Sequence, residues 1–413
     1  MMYQLKNISL IRSVKSILTP RFFNPVINMP PIKVVGVLKE TKDYENRVGL
    51  TPIGLRQLAL ENPQVTFVVQ RGAGLLSGFS DQDYLEAAPK GRVMIVDSTE
   101  EVVAFSDLLL KFKEPTALEV RLISEASTPK VIFCYGHYAG NKLLALEALA
   151  SKGMYFTFET ARKAGRNILL EPMSEIAGQI AIDQAQEFFD VKDLSGKKVA
   201  VFGGLGVAGL ASVEKALRQN AQEVIVFELP SVIERSKEKL KTGLLLNDPR
   251  VKFYDATHVD FEILKQAEVM VMAAYKPGQR PPILIDLAMT QMLEALGRRI
   301  IIIDIAIDQG GSTYFTRNAK AAQKHGQPPE AYFKYVHHSF IANMPSLEKQ
   351  KASLAQEKVN LPYFSKLIAV GKDFVNDEVL ASALNFVGGY NVVEVLKKDI
   401  GLKYIPLGKI KFE

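Results

Sequence analysis

The chain has 413 residues, of which 47% are hydrophobic and 23% charged, the balance of a globular protein with two or three domains and no apolar run long enough to cross a bilayer. Its one cysteine, Cys134, lies in an apolar run and excludes both a disulfide framework and a cysteine metal cluster. The net charge of +6 does not point to nucleic acid, because four of the six come from Lys6, Arg12, Lys15 and Arg21 in an acid-free stretch, and the remaining +2 forms no basic stripe with interleaved aromatics.

That stretch, residues 1–31, reads as a leader or a disordered tail. Serines, basic and apolar residues compose it, as in an organellar transit peptide, and a start at Met29 is a further reading. A mitochondrial location goes with the first reading, a cytoplasmic one with the others. From there strand-like and helix-like runs alternate, which predicts an α/β fold. Residues 34–38 read as a strand, Pro52–Glu61 as a helix opened by Thr51, and Thr66–Gln70 as a strand. Residues 100–105 lead into a strand at 108–111, and a strand at 131–135 precedes a helix at Lys142–Ser151. Glu171–Phe189 reads as a long helix, with Pro172 near its start and Ile176, Ile180 and Phe188 on one side.

The next segment is the most informative. An apolar strand at 199–202 meets Gly204, Gly206 and Gly209 in G-x-G-x-x-G spacing; a helical stretch with Val207, Leu210, Val213 and Leu217 on one side follows, and a second strand at 224–227 ends in the acid Glu228. In a dinucleotide-binding unit the first glycine permits the tight turn, the second lets the backbone approach a pyrophosphate, and the third lets helix and strand pack closely. The helix start favours the phosphates, and Glu228 suits ribose hydroxyls while repelling a 2′-phosphate, so NAD is expected rather than NADP. Strands at 251–253, 268–272 and 299–305 continue the unit, residues 318–329 read as a loop, and the chain beyond Met344 reads as mainly helical. The layout predicts two Rossmann-like domains: an NAD-binding, doubly wound domain over 169–345, inserted into a discontinuous substrate domain of 32–168 and 346–413, with catalysis in the cleft between them.

Four stretches carry candidate chemistry. In ETKDYENRVGLTP (40–52), Arg47 lies between a strand and a helix start, where it is either a carboxylate grip or a solvated surface residue. In LLLKFKEP (108–115), Lys111 and Lys113 stand at a strand end, and one of them is a candidate to polarise a carbonyl or hold a carboxylate. In FCYGHYAGN (133–141), His137 follows a buried-looking strand as a candidate acid–base group. In IIIIDIAIDQGG (300–311), Asp304 and Asp308 close an apolar strand, Asp308 being either a group beside the cofactor or a turn cap. His337 and His338 are adjacent and cannot share a ligand, His258 and His325 read as surface residues, and no metal motif is present.

Together these stretches, with PMSEIAGQIA, the GGLGVAG turn and IANMP, resemble the alanine dehydrogenases and the soluble alpha part of pyridine nucleotide transhydrogenase, from about Lys33 to the C-terminus. The resemblance implies that Arg47 binds the substrate carboxylate, that Lys113 contacts the substrate oxygens, that His137 is the catalytic histidine and that Asp308 stands beside the nicotinamide. It also implies that Ser174 reaches the cofactor phosphates and that Asn343 lies near the nicotinamide. Glu228 stands where the family usually has Asp. A glycine-rich segment common in the family is reduced here to DVKDLSGKK (190–198), which bears on subunit contacts. The activity so implied is NAD-dependent oxidative deamination of L-alanine by a homo-oligomer, with a small amino acid or 2-oxo acid as substrate and no nucleic-acid or membrane partner. The alternatives are an opine-type or lysine-type reductase, a transhydrogenase part, and a catalytically silent nucleotide-binding protein.

Overall fold

The apolar runs between residues 34 and 157 pair into one sheet, parallel throughout, that a hairpin from the C-terminal part of the chain extends at one edge. In spatial order its strands are Tyr390–Asn391, Leu384–Val387, Met154–Thr157, Val131–Cys134, Leu108–Leu110, Val34–Val37, Thr66–Gln70 and Val93–Val96, and the pairings of Leu384–Val387 are antiparallel. The computed structural model describes residues 25–240, 248–274, 280–318 and 333–413. The chain divides into two compact units: the first ends its opening segment at Leu170 and resumes at Lys349, and the second spans Glu171–Glu348.

In the first unit every residue of Leu108–Leu110, Val131–Cys134 and Met154–Thr157 is buried, as expected of parallel strands covered on both faces. Cys134 is one of these core residues, packed with Leu109, Ile132, Tyr155 and Phe386. The helix Pro52–Glu61 begins where the sequence places it, because Thr51 accepts N–H hydrogen bonds from Ile53 and Gly54 and Pro52 has no N–H to leave unpaired. The long helix Lys349–Val370 buries Phe364, Leu367 and Ile368, and it packs on Pro52–Glu61.

Beyond Met344 the chain is mainly helical, as expected, and adds a hairpin in which Leu384–Val387 and Tyr390–Asn391 pair around Gly388 and Gly389, both at positive φ. Of the expected leader or tail at 1–31, residues 25–31 are described: Val26–Ile27 pairs in parallel with Lys411–Phe412, and the Met29 N–H donates to the Glu413 carbonyl at 3.1 Å. The expected loop at 318–329 falls outside the described residues except for Asn318, which ends the helix Tyr314–Asn318.

The second unit holds a six-stranded, all-parallel sheet in the order Val251–Asp255, Glu223–Glu228, Lys198–Phe202, Val269–Met272, Ile300–Asp304, Val336–Ser339. Numbered along the chain this is 3-2-1-4-5-6, the doubly wound order, whose direction reverses beside Lys198–Phe202. The helix Val207–Arg218 packs by its small residues together with Val213, and not by Val207. Gly209, Ala211, Ser212, Val213 and Ala216 are buried, whereas Val207 is 39% exposed. Close approach explains the choice: a Cβ on Gly178 of helix Glu171–Phe189 would lie 2.0 Å from the Ala208 carbonyl oxygen. The Ser212 hydroxyl seals the contact by donating to the Gly178 carbonyl at 2.9 Å. Among the described residues no helix is long and apolar enough to cross a membrane, and no group of three or more His, Cys, Asp or Glu is placed to hold a metal ion.

Candidate functional site

In the first unit, three neighbouring strands, Val34–Val37, Leu108–Leu110 and Val131–Cys134, deliver the segments that carry Arg47, Lys113 and His137 beyond their carboxyl ends. This is the end of an open α/β sheet where ligands gather. Arg47 is only 3% exposed. Glu45 holds its guanidinium on two nitrogens, Nε at 2.6 Å and Nη2, and the Phe112 ring lies 4.0 Å beneath its Cζ. The solvated reading of Arg47 therefore fails: its plane is fixed by a fork of hydrogen bonds and a stacked ring.

From Phe112 a run of rings leads to the imidazole. Phe112 and Tyr135 have centroids 5.8 Å apart, and Tyr135 stacks on His137 at 5.6 Å with an 18° angle between planes. The Tyr135 hydroxyl donates to Gln356 Oε1 at 2.8 Å, which fixes that ring. His137 sits in the left-handed region at φ 47°, rare for a residue with a side chain and worth about 1 kcal/mol or more of strain. Glu159 opposes that strain by accepting the backbone N–H groups of Gly136 at 3.0 Å and His137 at 2.6 Å. The ring itself is oriented by Glu114, whose Oε2 is 3.0 Å from Nδ1. Burial disfavours ionisation of Glu114, but the His137 hydrogen bond and charge, with Lys42 and Lys113, overcome it and hold the carboxyl well below the usual carboxylate range.

The two candidate lysines separate clearly. Lys111 is buried between Glu40, 3.3 Å away, and Glu119, 2.9 Å away, and these partners raise its pKa despite burial. It is a structural cation. Lys113 is only partly buried, and its backbone N–H, with that of Phe112, is held by Glu40 Oε1 at 3.1 and 2.7 Å.

The second unit presents the glycine turn. The residue that makes the tight turn is Gly203, at φ 75°, rather than Gly204. Gly204 is needed for space, because a Cβ there would lie 2.6 Å from Val226 Cγ1. Gly209 has the closest approach, 2.1 Å from a Cβ to the Gly203 carbonyl oxygen, and Gly206 is the N-cap residue of helix Val207–Arg218. Glu228 closes the neighbouring strand. Its carboxylate accepts the N–H of Leu205 at 3.1 Å and of Leu229 at 2.9 Å, which ties the acid to the glycine turn. A dinucleotide fits these residues: bare backbone and a helix N-terminus for the pyrophosphate, with a fixed carboxylate alongside for the ribose.

Ser174 lies in the first turn of helix Glu171–Phe189, and Asn343, at φ 55°, precedes the turn Met344–Glu348 that packs on that helix. Asp304 is a buried cap that accepts N–H bonds from Ala306 at 3.0 Å and Ser312 at 2.7 Å. Asp308 belongs to the short helical turn Ile305–Gln309, and its side chain lies outside the described residues, as does His325. His338 is buried and His337 stacks on Phe188 at 5.2 Å. Glu45, Glu114 and Glu159, which hold Arg47 and His137, carry no motif of their own. For Glu114 a signal existed, since it directly follows Lys113; Glu159 gives none, being 22 residues from the histidine it braces.

A doubly wound sheet with a glycine turn and a terminal acid, together with a second sheet that carries Arg47, Lys113 and His137 beyond the ends of its parallel strands, defines an α/β protein with one Rossmann-like unit of the dinucleotide-binding type. The chain belongs to the alanine dehydrogenase/PNT family, matching the N-terminal domain over residues 36–177 and the C-terminal domain over 188–394. It is 30% identical to an alanine dehydrogenase of Bacillus subtilis over 395 residues, which covers 91% of this chain and 97% of that protein. Similarity to an alanine dehydrogenase of Methanococcus maripaludis is 28% over 400 residues, covering 91% and 99%. A solved L-alanine dehydrogenase, 27% identical, superposes with a TM-score of 0.76 over 89% of this chain and 98% of its own. A transhydrogenase from Sinorhizobium meliloti, 21% identical with a TM-score of 0.70, covers 88% and 99% and shares the fold.

Proposed function

We propose that the chain is an NAD-dependent amino-acid dehydrogenase that converts L-alanine reversibly to pyruvate and ammonium. The observation that supports this most is the grouping of Arg47, Lys113 and His137 beyond the ends of three adjacent strands, in a chain that aligns with alanine dehydrogenases over nine-tenths of its length. Arg47, its plane set by Glu45 and Phe112, would pair with the substrate carboxylate, and Lys113 would meet the substrate oxygens. Glu114 engages Nδ1 of His137, which leaves Nε2 to move the proton as the amine is lost and water is added. NAD, when bound, supplies the hydride acceptor. Gly206 and the start of the following helix suit its pyrophosphate, Glu228 its adenosine ribose, with Ser174, Asn343 and Asp308 as further cofactor-side residues.

The test is NADH oxidation by the purified protein, followed with pyruvate plus ammonium, then with pyruvate plus single amino acids, then with neither. Turnover only in the first condition is expected. Turnover that needs a second amino acid would move the reading to an opine-type or lysine-type reductase, and NADH binding without oxidation in any condition would overturn the enzyme reading altogether.

A further inference from the structure

Arg47 is gripped at its side chain by Glu45, but the chain segment that carries it is anchored elsewhere. The Val48 N–H donates to the Ser353 hydroxyl at 3.1 Å. On the other side of Arg47, the Asn46 carbonyl accepts from the Ser77 hydroxyl at 2.7 Å, and the Ser77 and Ser353 oxygens are 3.1 Å apart. A serine pair thus holds both peptides that flank the arginine. One helical turn after Ser353, Glu357 accepts the Thr51 N–H on Oε2 and the Thr51 hydroxyl on Oε1, the latter at 2.8 Å. It is pressed so closely on the first turn of helix Pro52–Glu61 that a Cβ on Gly54 would lie 2.3 Å from its carboxyl. Ser353 and Glu357 are four residues apart, so one face of helix Lys349–Val370 carries both anchors. The far wall of the segment is equally firm: a Cβ on Gly49 would lie 2.7 Å from the Lys111 backbone.

Such an arrangement exceeds what capping one helix requires. Thr51 already satisfies the N–H groups of Ile53 and Gly54. Ser353 serves no helix end of Pro52–Glu61 at all; its bond goes to the residue next to Arg47. We infer that Ser353 and Glu357 are positioning residues for recognition of the substrate carboxylate, acting from the C-terminal segment of the chain by fixing the 46–51 segment and with it the place of Arg47. The inference rests on the reading of Arg47 as the carboxylate grip.

The experiment compares Ser353→Ala, Glu357→Ala, Glu357→Gln and Arg47→Lys in the full chain, measuring kcat, the KM for pyruvate, the KM for NADH and the melting temperature of each. Ser353→Ala and Glu357→Ala are expected to raise the KM for pyruvate about fivefold or more, while kcat and the KM for NADH stay within about twofold. Glu357→Gln keeps an acceptor for the Thr51 N–H and a donor for its hydroxyl, so it is expected to recover most of the loss. Arg47→Lys separates the grip from its positioning. If it leaves the pyruvate KM unchanged, the reading of Arg47 is wrong; if it raises that KM while Ser353→Ala and Glu357→Ala do not, only the positioning role is overturned. A lowered melting temperature with no selective change in pyruvate KM likewise overturns it, and Ser353→Ala, the mildest change, keeps the test decisive should Glu357→Ala fail to fold.

Discussion

Glu114 Oε2 lies 3.0 Å from Nδ1 of His137, and the same carboxylate is ion-paired with Lys42 through its other oxygen. A carboxylate so placed selects the tautomer in which Nδ1 carries the proton and leaves Nε2 as the ring's acceptor. His137 is therefore held at three levels: the ring edge by Glu114, the ring face by Tyr135 and the backbone by Glu159.

The first prediction follows from that arrangement. Glu114→Gln keeps the shape but removes the charge, and it should lower kcat for pyruvate reduction at least about tenfold, while His137→Ala should lower it by about 10²- to 10⁴-fold. Neither substitution should change the KM for NADH by more than about twofold. Steady-state kinetics of the two variants checks this, and a Glu114→Gln enzyme with unaltered kcat would reduce the carboxylate to a structural partner of Lys42.

Coenzyme choice is the second. Glu228 is 7% exposed and held by the Leu205 and Leu229 N–H groups, and on the proposed reading its carboxylate would stand where a 2′-phosphate has to lie. Glu228→Ala should raise the KM for NAD about tenfold and bring NADP into use, because the repulsion goes with the hydrogen bonds. Paired assays with NAD and NADP would decide it; a variant that still rejects NADP points to another determinant.

A third concerns the glycine turn. A methyl group on Gly209 would lie 2.1 Å from the Gly203 carbonyl oxygen, a backbone atom that cannot yield, whereas one on Gly206 meets the same oxygen at 3.3 Å. Gly209→Ala should therefore destabilise the protein by about 2 kcal/mol or more. Gly206→Ala should fold but bind NADH more weakly, since on the proposed reading the pyrophosphate would approach the bare backbone at Gly206. Denaturant unfolding without coenzyme and NADH titration of both variants provide the measurement, and equal stability of Gly209→Ala and the parent would refute the close-packing account.

Elements with a physical start signal were the ones readable from the sequence. Pro52–Glu61 had Thr51 and Pro52, and Glu171–Phe189 had Pro172 within a long amphipathic pattern, and both have the predicted bounds. Most of the doubly wound unit was legible because four of its strands are short apolar runs set between helical stretches; its edge strand Val336–Ser339, which reads VHHS, has no such run and no strand is expected there. The hairpin Leu384–Val387 and Tyr390–Asn391 was passed over although Gly388-Gly389 between two short runs is a turn signal. The pair of Val26–Ile27 with Lys411–Phe412 gives no local signal, since two-residue strands have no period and their partners are nearly four hundred residues apart. The same distinction holds at the site. Arg47, Lys113 and His137 could be named from motifs, but Gly203 as the turn residue, Glu159 as the brace of His137 and Ser353 beside Val48 are facts of tertiary packing.

The last prediction sets two buried ionisable groups against each other. In the second unit His338 packs against Phe315 at 4.7 Å, and neither ring nitrogen meets a partner among the described residues. Burial, with the neighbouring His337, pushes its pKa from 6.5 down to about 3. Between these values the unfolded chain binds a proton that the folded one refuses, so the contribution of His338 to stability is complete above pH 6.5 and is lost as the pH falls. In the first unit burial pushes Glu357 from 4.5 up to about 7, against the hydrogen bonds of Thr51. Here the folded chain keeps a proton that the unfolded one has released, so this contribution is complete below pH 4.5 and is lost as the pH rises to 7 and beyond. The two slopes are opposite in sign and overlap near pH 5 to 6. Replacing His338 by Phe should stabilise the protein at pH 5 relative to pH 8 by about 2 kcal/mol, and Glu357→Gln should remove an alkaline-side loss of up to about 3 kcal/mol. Urea midpoints of the parent and both variants from pH 4 to pH 8 measure both terms, and a His338→Phe profile parallel to that of the parent would mean that the buried imidazole has a proton partner after all.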